Sequence, residues 1–339
     1  MREIGFGVVG AGTWGGVHSQ VYAYTPGARL VAVADADEGR ANAVAREHGA
    51  RACTDWRELI DDDSIHAISV VTPDFAHYEI ALAAAKAGKH LLVEKPLAMK
   101  VAECEEIIAA SENSGAHIMV DFHARWAPTF FRAWETIRKG DIGKPRHAYY
   151  RLNDRIWVPT EMLSWAAKSS VAWFLGTHAV DTVRWMFDDE VRRVYAVRGQ
   201  GVLKGLGVDT PDYYQATLEF RGGGTAVVET SWIMPNSMPN LIDLKLSVVG
   251  DEGAVYVDGS HHRAVEKYTA TDAGFPDVFV VPKIWGETKG FAVDSIRYFA
   301  TCIVSGEKPM VTGRDGLEVT KVVVAIEESA RTGLPVEIF

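Results

Sequence analysis

The chain has 339 residues, 47% of them apolar and 24% charged, the balance of a globular protein with material for about two cores. Its formal net charge of −10 and pI near 5.6 argue against a nucleic-acid backbone or an anionic membrane as partner, while a local basic pocket for an anionic small molecule stays open. No run approaches the roughly 18 apolar residues that span a bilayer, and the N-terminus lacks the regions of a signal peptide, so a cytoplasmic location is expected.

In chain order, Ile4 to Val9 reads as a short buried strand ending at glycines, followed by a helix over about 14–24. A second strand, Leu30 to Ala34, ends at Asp35 and leads to a helix over 38–48. Strands at 67–71, 91–93 and 117–120 alternate with helices at 75–87 and 103–113. Strand–helix alternation predicts a parallel, doubly wound α/β sheet over about residues 1–122. Residues 123–339 read differently. After a helix at 129–139 come strands at 146–153, 192–199, 213–220, 225–233, 242–249 and 253–258, with helices at 172–187, 290–304 and 315–331. The short glycine turns at 221–224 and 250–253 predict a mostly antiparallel sheet with helices on one face. The other face needs a cover, which a second subunit can supply.

No metal site is expected. Cys53, Cys104 and Cys302 are far apart and suit reduced thiols, and the adjacent His261 and His262 would point to opposite faces of a strand.

Gly10, Gly12, Thr13, Trp14 and Gly15 form a G-x-G-x-x-G loop between the first strand and its helix. Gly10 allows the tight turn, Gly12 a close approach of backbone to pyrophosphate, and Gly15 the packing of helix on strand. The helix N-terminus then offers N–H groups and a positive dipole end to the phosphates. Asp35, twenty residues beyond Gly15, is suited to accept hydrogen bonds from the ribose hydroxyls and to repel a 2′-phosphate, so NAD is expected over NADP. Thr72 and Pro73 end a strand at the carboxyl edge of the sheet, with His77 in the helix after it; all three are cofactor-site candidates.

The phrase Leu91-Leu92-Val93-Glu94-Lys95-Pro96 beside such a half closely resembles the signature of the Gfo/Idh/MocA oxidoreductases. Phe122 with Arg125 and Pro128, the run Gly176 to Asp181, and the terminal Arg331 to Val336 match in order. The resemblance implies a Rossmann domain followed by an α/β domain with an open, largely antiparallel sheet. It also implies hydride transfer between NAD and a sugar or cyclitol hydroxyl, and homodimers or homotetramers. By the same resemblance, Lys95 and His178 are catalytic, and Glu94 orients Lys95 or binds the nicotinamide ribose. The chemistry of Lys95 agrees: an ammonium at a strand end can hydrogen-bond the reacting oxygen and stabilise alkoxide character.

Two positions depart from the family pattern. Phe174 stands where many relatives carry the aspartate of an Asp-x-x-x-His pair, so either Asp181, three residues past His178, stands in or Lys95 carries proton transfer alone. His123 stands where relatives often have asparagine. The aromatic and charged stretch 153–173, with Arg155, Trp165 and Lys168, offers stacking faces and forks for a sugar or its acid, and Arg125 is a further substrate candidate. Two alternative readings remain. One is a redox-cycling lyase that opens a glycosidic bond without net NADH; the other is a sensor that only binds NAD.

Overall fold

A computed structural model describes residues 3–260, 264–271 and 273–339; His261 and His262 lie outside the described residues. The chain forms two compact units, Met1–His123 with Val280–Thr320 and Ala124–Phe279 with Lys321–Phe339. No helix among the described residues is long and apolar enough to cross a membrane.

The first unit carries strands β1 (Ile4–Val9), β2 (Ala28–Ala34), β3 (Arg51–Cys53), β4 (Ala67–Val70), β5 (His90–Val93) and β6 (Ile118–Val120) in the order β3-β2-β1-β4-β5-β6. Every pairing is parallel. The apolar runs do not alternate because both sheet faces are covered; Phe6, Val8, Ile68, Val70, Leu91 and Leu92 are fully buried. Helices α1 (Thr13–Tyr24), α2 (Glu38–Glu47), α3 (Arg57–Ile60), α4 (His77–Lys86) and α5 (Val101–Ser114) make the crossovers. The strand order reverses between β1 and β4, the place where ligands of doubly wound sheets bind.

The sequence order assigns residues 280–320 to the C-terminal part, but in the structure this segment clusters with the first unit. The physical reason is apolar packing. Phe299 meets Phe6 edge-on with ring centroids 6.3 Å apart, and Phe6 in turn stacks on Tyr22 at 4.4 Å.

The second unit opens with α6 (Pro128–Arg138). Its sheet joins β7 (Pro145–Arg155), β8 (Val191–Gly199), β9 (Tyr213–Phe220), β10 (Thr225–Met234), β11 (Ile242–Gly250) and β12 (Ala254–Asp258), with the terminal strand Val336–Glu337 beside β8. All pairs are antiparallel except β7 with β10. That exception follows from chain length: residues 156–190, including α7 (Thr177–Phe187), separate β7 from β8, so β7 is free of a hairpin constraint. Along β7, β8 and β10 one face is buried through Tyr150, Ala196 and Val228, while Tyr149, Tyr195, Val197 and Val227 on the other face remain exposed. A short helix α8 (Val202–Gly205) follows β8. Two longer helices, α9 (Phe291–Ser305) and α10 (Gly313–Thr332), close the chain.

Candidate active site

The glycine loop has the geometry that its sequence requires. Gly10 sits at φ +103°, and a Cβ there would lie 2.5 Å from the Val71 carbonyl oxygen. A Cβ on Gly15 would lie 1.9 Å from the Gly10 oxygen, so the first turn of α1 can seat on β1 only with glycine. Around Gly12 a Cβ would meet nothing within 4 Å, and this residue gives α1 no side-chain cap. The first N–H groups of α1 are thus left for a ligand, as a dinucleotide pyrophosphate needs.

Asp35 closes this corner. Its carboxylate accepts from the Ala11 N–H at 2.7 Å, the Asp37 N–H at 2.8 Å and the Arg40 guanidinium at 2.9 Å. Burial works against its charge, but Arg40 and the two N–H groups outweigh burial and hold the carboxyl below the usual range. Asp37 separately caps α2 through the Arg40 N–H at 3.0 Å. Asp35 is therefore not needed as a cap, and an ionised carboxylate remains for ribose hydroxyls. The residues fit NAD on these observations.

His77 holds the neighbouring turn. One ring nitrogen lies 2.8 Å from the Thr72 carbonyl and the other 2.6 Å from the Pro96 carbonyl. A ring engaged at both nitrogens ties Thr72-Pro73 to the cis Lys95-Pro96 bond rather than reaching for a ligand. The Thr72 hydroxyl, by contrast, is buried and makes no hydrogen bond among the described residues.

The β5 end carries Glu94 and Lys95 into a buried polar cluster that motif reading missed. His18, on α1 one turn past Trp14, has Nδ1 3.0 Å from Ser69 Oγ and Nε2 3.5 Å from Glu94 Oε1. Tyr22 bonds the same serine hydroxyl. Asp121, just after β6, completes the group, with one ligand-type atom each from His18, Glu94 and Asp121 within 4.8 Å of one another. His123 stacks on Trp14 at 5.5 Å, and burial pushes its pKa down to about 4. The available signal was position alone: Asp121 is a carboxylate at the carboxyl edge of a strand that the alternation already identified.

In the second unit, Arg125 and Asp181 meet each other. Arg125 Nε lies 3.0 Å from Oδ2 and Nη2 lies 2.6 Å from Oδ1 of Asp181, a two-pronged bond at a carboxylate only 1% exposed. Arg184 approaches the same carboxylate at 3.9 Å and bonds Glu190 at 2.7 and 2.6 Å. The sequence suggests Asp181 as a proton acceptor and Arg125 as a substrate ligand; the structure gives both a structural partner.

His178 is half-buried on α7. Phe174, one turn earlier, packs between Trp165 at 6.1 Å and Trp232 at 5.7 Å, so an aromatic cluster occupies the position of the missing aspartate. Arg155 donates to the carbonyls of Asn236 and Met238 at 3.3 and 3.4 Å, and Lys168 is exposed.

Comparisons with known proteins agree with this architecture. A family model described as an oxidoreductase family with an NAD-binding Rossmann fold matches residues 4–122, and the GFO/IDH/MocA C-terminal domain model matches residues 130–256. The chain is 30% identical over 351 residues to scyllo-inositol 2-dehydrogenase (NAD(+)) of Bacillus subtilis strain 168, covering 99% of this chain and 97% of that one. It is 29% identical to levoglucosan dehydrogenase of Pseudarthrobacter phenanthrenivorans, covering 97% of each. Among solved structures, GenD2 from gentamicin A biosynthesis, in complex with NAD, superposes with a TM-score of 0.85 at 27% identity, covering 100% of this chain and 97% of that one.

Proposed function

The chain belongs to the Gfo/Idh/MocA oxidoreductase family, and from that premise we propose that it transfers a hydride between NAD and a secondary hydroxyl or ketone of a sugar, cyclitol or sugar acid. It is an NAD-dependent oxidoreductase whose full-length relatives include dehydrogenases named for inositols, levoglucosan and apiose. The observation that carries the reading is the end of β5, where Glu94 and Lys95 follow the fully buried Leu91, Leu92 and Val93 in the same unit as the glycine loop and Asp35.

When bound, NAD supplies the hydride acceptor; the chain supplies the rest. The N–H groups at the start of α1 bind the pyrophosphate, helped by Thr13 and Trp14 of that turn, and Asp35 binds the adenosine ribose. Thr72 and Pro73 border the cofactor, and His77 fixes their position against Pro96. Lys95 hydrogen-bonds the reacting oxygen and takes up its proton as the carbonyl forms. His178 hydrogen-bonds a substrate hydroxyl, a role suited to an imidazole. Arg155, Trp165 and Lys168 are the side chains proposed to sort substrates.

The cofactor preference gives a direct test. Asp35→Ser with Ala36→Arg should move the NAD-to-NADP ratio of kcat/KM toward NADP by at least about tenfold, the worth of one charge-assisted hydrogen bond. A ratio that does not move would take Asp35 out of cofactor selection.

The exposed apolar face of the second sheet, with Tyr149, Tyr195, Val197 and Val227, supports assembly into a homodimer or homotetramer. The acidic composition and three free, buried cysteines support a cytoplasmic setting.

The experiment that tests the function is NADH absorbance on a panel of inositols, sugars, uronic acids and glycosides. Stoichiometric NADH from one compound is the expected result. The occupation of position 174 by phenylalanine favours one other reading, the redox-cycling lyase. Cleaved glycosides without NADH would establish that reading, and NAD binding with no turnover on any compound would leave a sensor.

A further inference from the structure

The buried cluster of the first unit brings two carboxyl groups, Glu94 and Asp121, within 4.8 Å of each other. One hydrogen placement satisfies most of it. Tyr22 donates to Ser69, the Ser69 hydroxyl donates to His18 Nδ1, and His18 Nε2–H faces Glu94. Asp121 stays outside that chain. It is fully buried, neither of its carboxyl oxygens makes a hydrogen bond among the described residues, and a carboxyl oxygen lies within 4.8 Å of the ligand-type atoms of His18 and Glu94. Two carboxylates so close in a buried setting repel one another, and burial adds to the cost of charging both, which favours a proton on one of them.

The surroundings decide which one. Glu94 and Lys95 face Asp121 from the end of β5, and Tyr22 of α1 and Ser295 of α9 lie near it. His18 of α1 and His123 act on Glu94 instead. Burial and the charge of Glu94 push Asp121 well above the usual carboxylate range, only partly offset by Ser295 and Lys95. Burial also opposes the charge of Glu94, but His18, Lys95 and His123 outweigh it.

We infer that Asp121 is a positioning residue: it holds a proton between itself and Glu94, so that the pair presents one negative charge to Lys95 instead of two. This rests on the reading of Lys95 as the group that takes the hydroxyl proton. At alkaline pH Asp121 gives its proton to solvent. The pair then carries two charges, the Lys95 ammonium is held more tightly, and Lys95 can no longer accept the substrate proton. The carboxyl pair is an alkaline off-switch for the oxidation.

The test has two arms. Infrared spectra of the full-length protein at pH 7, unlabelled and labelled with carbon-13 at the aspartate side-chain carboxyl, should contain a protonated-carboxyl carbonyl stretch that moves on labelling and is lost in Asp121→Asn. No such band, or one that survives the substitution, overturns the inference. So does one equivalent of tightly bound divalent metal, lost in the variant, because a cation would then do the work of the proton. If Asp121→Asn does not fold, the labelled wild-type protein decides alone. In the second arm, kcat for NAD reduction is followed against pH. The wild type should fall at alkaline pH and Asp121→Asn should not, leaving the variant about tenfold faster there, the effect of one nearby opposite charge on the proton affinity of a lysine. A fall in both proteins, or in neither, overturns the switch. A failure of the Lys95 reading is separable, because Lys95→Ala would then turn over normally while the infrared band persists.

Discussion

Lys95→Ala lowers kcat for NAD reduction by about two orders of magnitude or more, the usual worth of a positioned acid/base. The expectation starts from the strand. Val93 ends β5 after the fully buried Leu91 and Leu92, and the Lys95-Pro96 bond is anchored by His77 through the Pro96 carbonyl at 2.6 Å. A side chain leaving so fixed a backbone has little freedom to spend on reaching its target. Lys95→Arg separates charge from proton transfer. It keeps a cation to bind the oxygen but cannot accept a proton near neutral pH, so KM should change less than kcat. The measurement is steady-state NADH formation on the substrate found in the panel, with NAD affinity titrated in parallel. Near-normal turnover in Lys95→Ala would remove this residue from the chemistry.

Arg125→Ala should destabilise the second unit by about 3 kcal/mol, since it removes the two-pronged partner of a buried carboxylate. Asp181 is 1% exposed, and Arg184, a second cation beside it, stands 3.9 Å away and also bonds Glu190. For a domain of this size the loss corresponds to a fall of about 6–12 °C in Tm. The double variant Arg125→Ala with Asp181→Ala should recover part of that, because it removes that carboxylate as well. Calorimetry of the three variants checks both statements. An Arg125→Ala protein that melts like its parent but loses substrate affinity would return Arg125 to the role that its position in the sequence suggests.

These two residues mark where sequence reading succeeds and where it stops. Gly10, Gly15 and Asp35 are legible because their function depends on local spacing: one loop, one helix start, one strand end. The strands of the second unit are legible because glycine turns at 221–224 and 250–253 punctuate them. β3 and α3, at three and four residues, are too short for a period to register. The pairing of Arg125 with Asp181 joins positions 56 residues apart, and the His18, Glu94 and Asp121 cluster draws on three elements. Neither has a pattern along the chain. Helical spacing puts Phe174, His178, Asp181 and Trp185 on one side of a helix, but spacing cannot tell that Trp165 and Trp232 receive Phe174 while Arg125 meets Asp181 and lies 5.9 Å from the Trp185 ring. Nor could order along the chain reveal that Phe299 belongs against Phe6.

That last allegiance bears on how the protein is born. The first unit takes residues 1–123 and then nothing until 280, so its sheet leaves the ribosome long before the helix that covers Phe6 and Tyr22. At about 5–20 residues per second, the intervening 156 residues take roughly 8–30 s to make. For that interval the nascent nucleotide-binding half carries a bare apolar surface, and it is then that a chaperone has something to hold.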